Sequence, residues 1–482
     1  MTQRITRESG TFAIVIAPTR ELAAQIYAVF ESVLGCAHHI VPCLVVGGEK
    51  KKSEKARIRK GVNILVATPG RLADHFDNTR ALDVAEVRWV VLDEGDRLVD
   101  LGFEETITKI TATLDTRARH ARRTVLCSAT IRADVERLGQ VALRDPQYIA
   151  VGGRPAQDGA APAEPDDEFH APDQLLQQVL VVPMKLRMVT LVSTLVDILR
   201  QPGAAKVMVF LSCSDSVEFY FRALTRAVAD ADAPDDKADE SATARRSALL
   251  RKHTGAPAVV HMLHGSLAQA QRKATLAEFA PAADVPHVLL CTDVASRGLD
   301  LPAISHVIEF DPPFAAEDHL HRVGRTARAG HAGWAALFLL PGREEGYVAA
   351  TLEPRHRGKI VSRSYVDVFT AVFGPAWMDA ATALQLDVER WLLASAQMHD
   401  LAKRAFKSHI RAYTTHLSAE RDIFSVRDLH LGHLAKAFGL RESPTGVNKR
   451  EKERAGPDYA KRKMLQVANV HASAGASEFN IG

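Results

Sequence analysis

In Trp89-Val90-Val91-Leu92-Asp93-Glu94-Gly95-Asp96 an unbroken apolar run passes directly into carboxylates. Continuous rather than alternating hydrophobicity means that both faces of the strand are covered, as in a parallel sheet flanked by helices. Open α/β sheets bind ligands beyond the carboxyl ends of their strands, which is where Asp93 and Glu94 fall. An isolated acidic cluster is most often solvated surface. Here the strand before it and Arg97-Leu98-x-Asp100-x-Gly102-Phe103 after it favour catalysis. A hard oxygen ligand such as Asp93 can hold Mg2+ through water, while Glu94 orients or deprotonates the water that attacks a nucleotide.

Outward from this strand, residues 12–17, 41–46, 63–67 and 124–127 read as further buried strands of one α/β lobe. Residues 152–173 are rich in Gly, Pro, Ala and acids and read as a linker. A second α/β series follows, with strands near 178–182, 206–211, 258–262, 287–291, 306–309 and 333–339. The aperiodic stretch 229–252 is expected to be a surface insertion. After Gly342 the pattern turns helical, over 385–407, 407–416 and 429–438, and predicts an all-α segment. The expected domains are 1–151, a linker at 152–173, 174–342, a helical extension at 343–447 and a basic tail at 448–482. That tail reads equally as solvated chain or as a phosphate-binding arm.

The chain has 482 residues, 46% hydrophobic and 25% charged, with formal net charge +3. This is globular composition, and affinity for nucleic acid must come from local patches rather than a global field. Five scattered cysteines lack paired metal spacing, no apolar run approaches ~20 residues, and the first residues are polar, so a soluble intracellular protein is expected.

In the second lobe, Arg325 and Arg328 are three residues apart and predict a shared helix face, with His321 one turn earlier. Two guanidiniums aimed at a γ-phosphate neutralise charge developing in the transition state. Thr292-Asp293-Val294-Ala295-Ser296-Arg297-Gly298-Leu299-Asp300 follows a strand, where Gly298 permits close backbone approach and Asp300 can accept from a ribose hydroxyl or from those arginines. Pro18-Thr19-Arg20, Gly48 and Thr68-Pro69-Gly70-Arg71 in the first lobe, with Arg272 and Thr292 in the second, follow strands and suit recognition of a single-stranded nucleic-acid backbone. No aromatic stacking platform accompanies them, so binding is expected to be independent of sequence.

With Ser128-Ala129-Thr130 and His321-Arg322-Val323-Gly324-Arg325-Thr326-Ala327-Arg328, these motifs resemble the DEAD-box RNA helicases in order and spacing over residues 11–340. The resemblance implies two tandem RecA-like parallel-sheet lobes that close around ATP and RNA, and ATP-dependent remodelling of RNA duplexes. It assigns Asp93, Glu94 and Asp96 to Mg-ATP hydrolysis, Ser128 and Thr130 to coupling, and His321, Arg325 and Arg328 to the γ-phosphate. Gly298 and Asp300 then meet the nucleotide. The runs Gly47-Gly48-Glu49-Lys50-Lys51-Lys52-Ser53-Glu54-Lys55-Ala56-Arg57 and Ala405-Phe406-Lys407-Ser408-His409-Ile410-Arg411-Ala412-Tyr413 resemble the nucleolar subgroup acting on large-ribosomal-subunit precursors. That implies a monomer in the nucleus and nucleolus, with pre-rRNA and pre-ribosomal particles as partners.

Gly95 stands where the family has alanine, and His319 where it often has tyrosine. No Gly-x-x-x-x-Gly-Lys-Ser/Thr string occurs, nor the family's adenine-reading glutamine segment. The sequence is therefore expected to be an N-terminally incomplete first lobe, the absent strand being internal to its sheet. The competing reading is a helicase-derived RNA-binding scaffold without hydrolysis.

Overall fold

The computed structural model describes residues 5–131, 133–149, 170–228, 241–281, 284–295, 301, 304–327, 332–356, 360–417 and 420–441. They form two compact units, the second beginning at His170.

The first unit is a five-stranded, wholly parallel sheet of β1 (Ala13–Ile16), β2 (Pro42–Val45), β3 (Ile64–Ala67), β4 (Trp89–Leu92) and β5 (Arg123–Leu126), in the order β2-β3-β1-β4-β5. Ile14 pairs with Leu65 on one side and Val90 on the other, and all three are buried, as continuous apolar strands require. Helices α1 (Arg20–Val33), α2 (Lys51–Arg59), α3 (Pro69–Asn78), α4 (Gly95–Asp100), α5 (Glu104–Arg117) and α6 (Ala133–Ala142) connect them. Each strand therefore runs directly into a turn and a helix start, with Thr19 capping α1 through Leu22 N–H and Pro69 opening α3. Absence of an internal strand leads us to expect neighbouring strands with unpaired backbone groups and an uncovered apolar edge. The five described strands pair continuously, with β2 and β5 at the edges, and on β5 the apolar Val125 is 38% exposed.

The second unit holds β6 (Leu175–Val181), β7 (Lys206–Phe210), β8 (Ala244–Arg246), β9 (Val259–Leu263), β10 (His287–Cys291), β11 (His306–Glu309), β12 (Gly333–Leu339) and β13 (Ile360–Ser364). Their order is β13-β6-β12-β11-β7-β10-β9-β8, and only β8 is antiparallel to its neighbour. Its helices are α7 (Arg187–Leu199), α8 (Ser214–Leu224), α9 (Ala248–Thr254), α10 (Gln269–Phe279), α11 (Ala316–Val323), α12 (Glu353–Arg355), α13 (Tyr365–Phe373), α14 (Trp377–Ala394), α15 (Ala396–Tyr413) and α16 (Leu431–Ala437).

Four expectations change here. Within the expected 229–252 insertion, residues 244–252 supply β8 and the start of α9; residues 229–240 lie outside the described residues, as do 152–169 of the linker and the basic tail. The segment after Gly342 is not all-α, because β13 adds an edge strand to β6. Nor is it separate from the second lobe: one apolar core runs from Val179 to Leu440, with the Phe219 and Phe438 rings 5.4 Å apart and the Tyr220 hydroxyl donating to Ala437 O. The expected single helix at 385–407 is two, broken where Ser395 caps α15 through Met398 N–H.

The second unit also buries histidines that cannot easily take a proton. Burial pushes His264 down to about 4, and lowers His261 and His356. Because their folded-state values lie below the unfolded value of ~6.5, the unfolded chain binds more protons as pH falls, at about 1.4 kcal/mol per pH unit for each site. Stability of this unit is expected to be fully present above about pH 6.5 and to fall steadily towards pH 4. Denaturant titrations at several pH values check this, and a flat profile over that range contradicts it.

Candidate functional site

The acidic pair sits where the strand argument places it. Asp93 N–H extends the β4 ladder by donating to Ile16 O, and Asp93 Oδ1 accepts from Glu94 N–H at 3.0 Å. Glu94 then turns into the left-handed region, φ 49° and ψ 61°, a conformation costly for a residue with a side chain. Gly95 N–H donates to Cys127 O at 2.8 Å, and Asp96 N–H donates to Ser128 Oγ at 3.2 Å. The turn after β4 is thereby fastened to the residues after β5. Ser128 Oγ itself donates to Thr130 O at 2.7 Å, and Thr130 Oγ1 is buried without a hydrogen-bond partner among the described residues. Asp96 is buried, whereas Asp93 and Glu94 are half-buried.

Burial, helped by the Asp96 charge, pushes the Asp93 carboxyl above its ordinary value, against the Glu94 N–H bond. A divalent cation relieves that kind of stress, so the donor set suits Mg2+. A methyl at Gly95 would lie 2.6 Å from Leu126 Cδ1, so the family's alanine requires Leu126 to turn aside.

The first unit also gathers the candidate RNA contacts. Pro18 is buried and Thr19 Oγ1 is spent on its cap. The Arg20 guanidinium lies over Gly47, where a Cβ would come within 2.8 Å of Nη2. Gly48 is exposed with φ +87°, and Thr68 and Gly70 line the start of α3. Nothing lies within 4 Å of a Cβ at Gly70, and its φ is not positive, so the fold does not demand glycine there. Arg71 faces inward: its side chain is 12% exposed, its Nε and Nη2 donate to Glu54 Oε2 at 2.8 Å, and Nη2 donates to Glu49 O. Glu54 is fully buried and also meets His75 Nε2 at 3.0 Å. Arg71 and His75 share a face of α3 at i and i+4, but no local periodicity links them to Glu54, and sequence reasoning missed this cluster.

In the second unit the expected shared helix face does not form. α11 ends at Val323, capped by Gly324, and Ala327 takes φ +56°. Arg325 lies past the helix, with Nε donating to His321 O at 3.4 Å. Gly324 was the available signal, since glycine after a helix marks its end and a Cβ here would press on Leu320 O at 2.9 Å. Arg328, Gly298 and Asp300 lie outside the described residues. Thr292 follows β10, its N–H donating to Leu263 O, and Arg272 is buried on α10.

His319, at the position expected to be aromatic, is fully buried, with Nδ1 2.7 Å from Glu309 Oε2 and Nε2 2.8 Å from His356 Nε2. Arg322 is the unit's central strut. It is fully buried, donates to both Asp293 carboxylate oxygens at 2.6 and 2.9 Å and to Asp311 O at 2.8 Å, and lies 3.5 Å from Glu309 Oε1. Asp311 is held in turn by Arg187 Nη2 at 2.5 Å and Ser212 N–H at 2.8 Å, and Ser212 Oγ lies 3.2 Å from His409 Nδ1 on α15.

Family models match in the same order: "DEAD/DEAH box helicase" over residues 1–138, "Helicase conserved C-terminal domain" over 236–330 and "ATP-dependent rRNA helicase SPB4-like, C-terminal extension" over 395–446. Among curated proteins, the chain is 51% identical to "ATP-dependent RNA helicase DBP7" of Yarrowia lipolytica over 97% of its length and 60% of that protein's. It is 47% identical to the protein of the same name from Meyerozyma guilliermondii, over 99% of this chain and 72% of that protein. The chain thus spans three fifths to about seven tenths of these relatives. Among solved structures, Mss116 bound to single-stranded RNA and UDP-BeF has the same fold, with TM-score 0.64 and 21% identity, covering 89% of this chain and 76% of that one. Dbp5 bound to RNA and ADP BeF3 gives TM-score 0.56 at 19% identity, over 78% and 81%. By its near-half identity to these relatives and its ordered motifs, the chain belongs to the DEAD-box ATP-dependent RNA helicases.

Proposed function

We propose that the chain couples ATP hydrolysis at the carboxyl end of β4 to local displacement of RNA strands or bound protein, in assembly of the large ribosomal subunit. The observation that carries this is the strained Asp93-Glu94 turn, fastened by Gly95 N–H and Asp96 N–H to the residues after β5. Strain of this kind persists where surrounding structure over-determines it, and it clusters at functional sites. Asp93 would hold Mg2+, which when bound neutralises phosphate charge. Glu94 positions and deprotonates the attacking water. Because Ser128 accepts from Asp96 N–H, a change at the acidic turn is transmitted directly to Ser128 and Thr130. Arg325, Arg328 and His321 are the groups we assign to the γ-phosphate, with Gly298 and Asp300 at the nucleotide.

RNA is taken by Arg20, Gly48, Thr68 and Gly70 in the first unit and Thr292 in the second, where Arg272, buried on α10, holds its helix in place rather than meeting RNA. Pro18, Pro69 and Arg71 hold those turns in place. Structures of Mss116 and Dbp5 with RNA and nucleotide analogues support both ligands, and the relatives' printed names support the activity. The match to an extension described as that of an rRNA helicase supports pre-rRNA as substrate, and on that reading the chain acts as a monomer on pre-ribosomal particles in the nucleolus.

RNA-stimulated phosphate release and duplex displacement by the full-length protein test the activity, and co-sedimentation with large-subunit precursors tests the substrate. RNA binding without hydrolysis replaces this reading by a scaffold. Gly70 gives a sharper local test. Gly70→Ala is expected to leave the fold intact or to stabilise it by up to about 1 kcal/mol, since alanine is the better helix former. It should nevertheless weaken RNA binding severalfold, because the methyl stands where the sugar-phosphate backbone approaches. Unchanged RNA affinity by anisotropy contradicts the assignment.

A further inference from the structure

Between residues 50 and 60 seven of eleven side chains are Lys or Arg and one, Glu54, is acidic. Glu54 and Ile58 are the buried side of α2, which fixes what the opposite side presents. Three of the cations are engaged within the unit: Lys51 with Asp74 at 2.9 Å, Lys55 with Asn78 O at 2.9 Å, and Arg57 with Glu49 at 2.6 Å. Lys50, Lys52, Arg59 and Lys60 are exposed and have no side-chain partner among the described residues. Lys52 and Arg59 are seven residues apart and lie almost in line along the helix, about 10 Å from end to end, with Lys60 beside them. The only other residues exposed on α2 away from the paired cations are Ser53 and Ala56.

Helix α2 is fixed to the candidate RNA turns through the side opposite these cations. Buried Glu54 takes Arg71 and His75 of α3, and Arg71 reaches back to Glu49 O beside Gly48. The arginine nearest Gly70 therefore spends its charge inside the unit, and the outward cations are those of α2.

We propose that Lys50, Lys52, Arg59 and Lys60 form a second phosphate track, which takes the RNA backbone beyond the Gly48, Thr68 and Gly70 surface. The proposal rests on the RNA reading of that surface. A face of cations with no acid, and no apolar or aromatic residue larger than alanine, offers a peptide nothing to seat its side chains in, whereas phosphate needs only charge. Contact here is with phosphates alone and therefore independent of base sequence.

The test is the triple variant Lys52→Gln/Arg59→Gln/Lys60→Gln in the full-length protein, with Gly70→Ala as comparison and thermal melting to verify folding. RNA affinity is read by anisotropy between 50 and 200 mM salt. The variant is expected to lower the slope of log K against log salt by about 2, at ~0.7 per phosphate on single strands. ATP hydrolysis at saturating RNA should be unchanged. An unaltered slope and affinity in a folded triple variant overturn the track; if Gly70→Ala still weakens binding, the RNA surface stands without it. An unaltered RNA slope with lost binding to an acidic polypeptide such as polyglutamate assigns the face to protein instead and overturns the proposal. Wild-type protein that binds no RNA overturns both readings.

Discussion

Replacing Glu94 with glutamine is expected to lower RNA-stimulated ATP hydrolysis by about 10²–10⁴-fold, the range for removing a positioned general base. RNA affinity should stay within about twofold, because no candidate RNA contact is changed. Glutamine keeps the size of the side chain and the left-handed backbone at position 94, and removes only the group that can accept a proton. A variant that merely unfolded the turn would also release Ser128 from Asp96 N–H and lower stability, so the melting temperature is measured alongside. Hydrolysis retained near the wild-type rate in a folded Glu94→Gln protein removes Glu94 from the mechanism.

Arg322→Ala should have the largest effect on stability, about 3–5 kcal/mol for breaking a buried ion pair. The guanidinium is fully buried, donates to Asp293 and Asp311 O, and is the counter-charge 3.5 Å from Glu309 Oε1. Truncation leaves the Asp293 and Glu309 carboxylates without their main counter-charge. It also opens the contact between α11 and the carboxyl edge of β10 and β11. Arg322→Lys should recover only part of the loss, because an ammonium cannot donate the parallel bonds that the Asp293 carboxylate receives at 2.6 and 2.9 Å. Urea denaturation of the full chain reads the difference, and a loss below about 1 kcal/mol contradicts a structural strut.

What was legible in the sequence was whatever repeats locally. β1, β3, β4, β7 and β10 carry continuous apolar runs, and a carboxylate pair at the end of one of them names its own position in a parallel sheet. What escaped was decided by contacts distant in the chain. β13 joins the sheet through β6, some 180 residues earlier, and its Val-Ser-Arg-Ser stretch has no core-strand signature. Arg71 looks like an RNA contact until Glu54 and Glu49 O occupy it. His319 looks like a surface aromatic's substitute until Glu309 and His356 enclose it. The end of α11 was readable, since Gly324 precedes Arg325, but helical spacing alone carried the arginines onto a face that stops at Val323.

The most direct test of the hydrolytic turn after β4 is phosphate release by the full-length protein with Mg-ATP, measured with and without single-stranded RNA. The account predicts slow release alone and a rise of at least tenfold at saturating RNA, a rise that the Glu94→Gln variant lacks. Tight RNA binding with release unchanged by RNA, or no release in either condition, contradicts it.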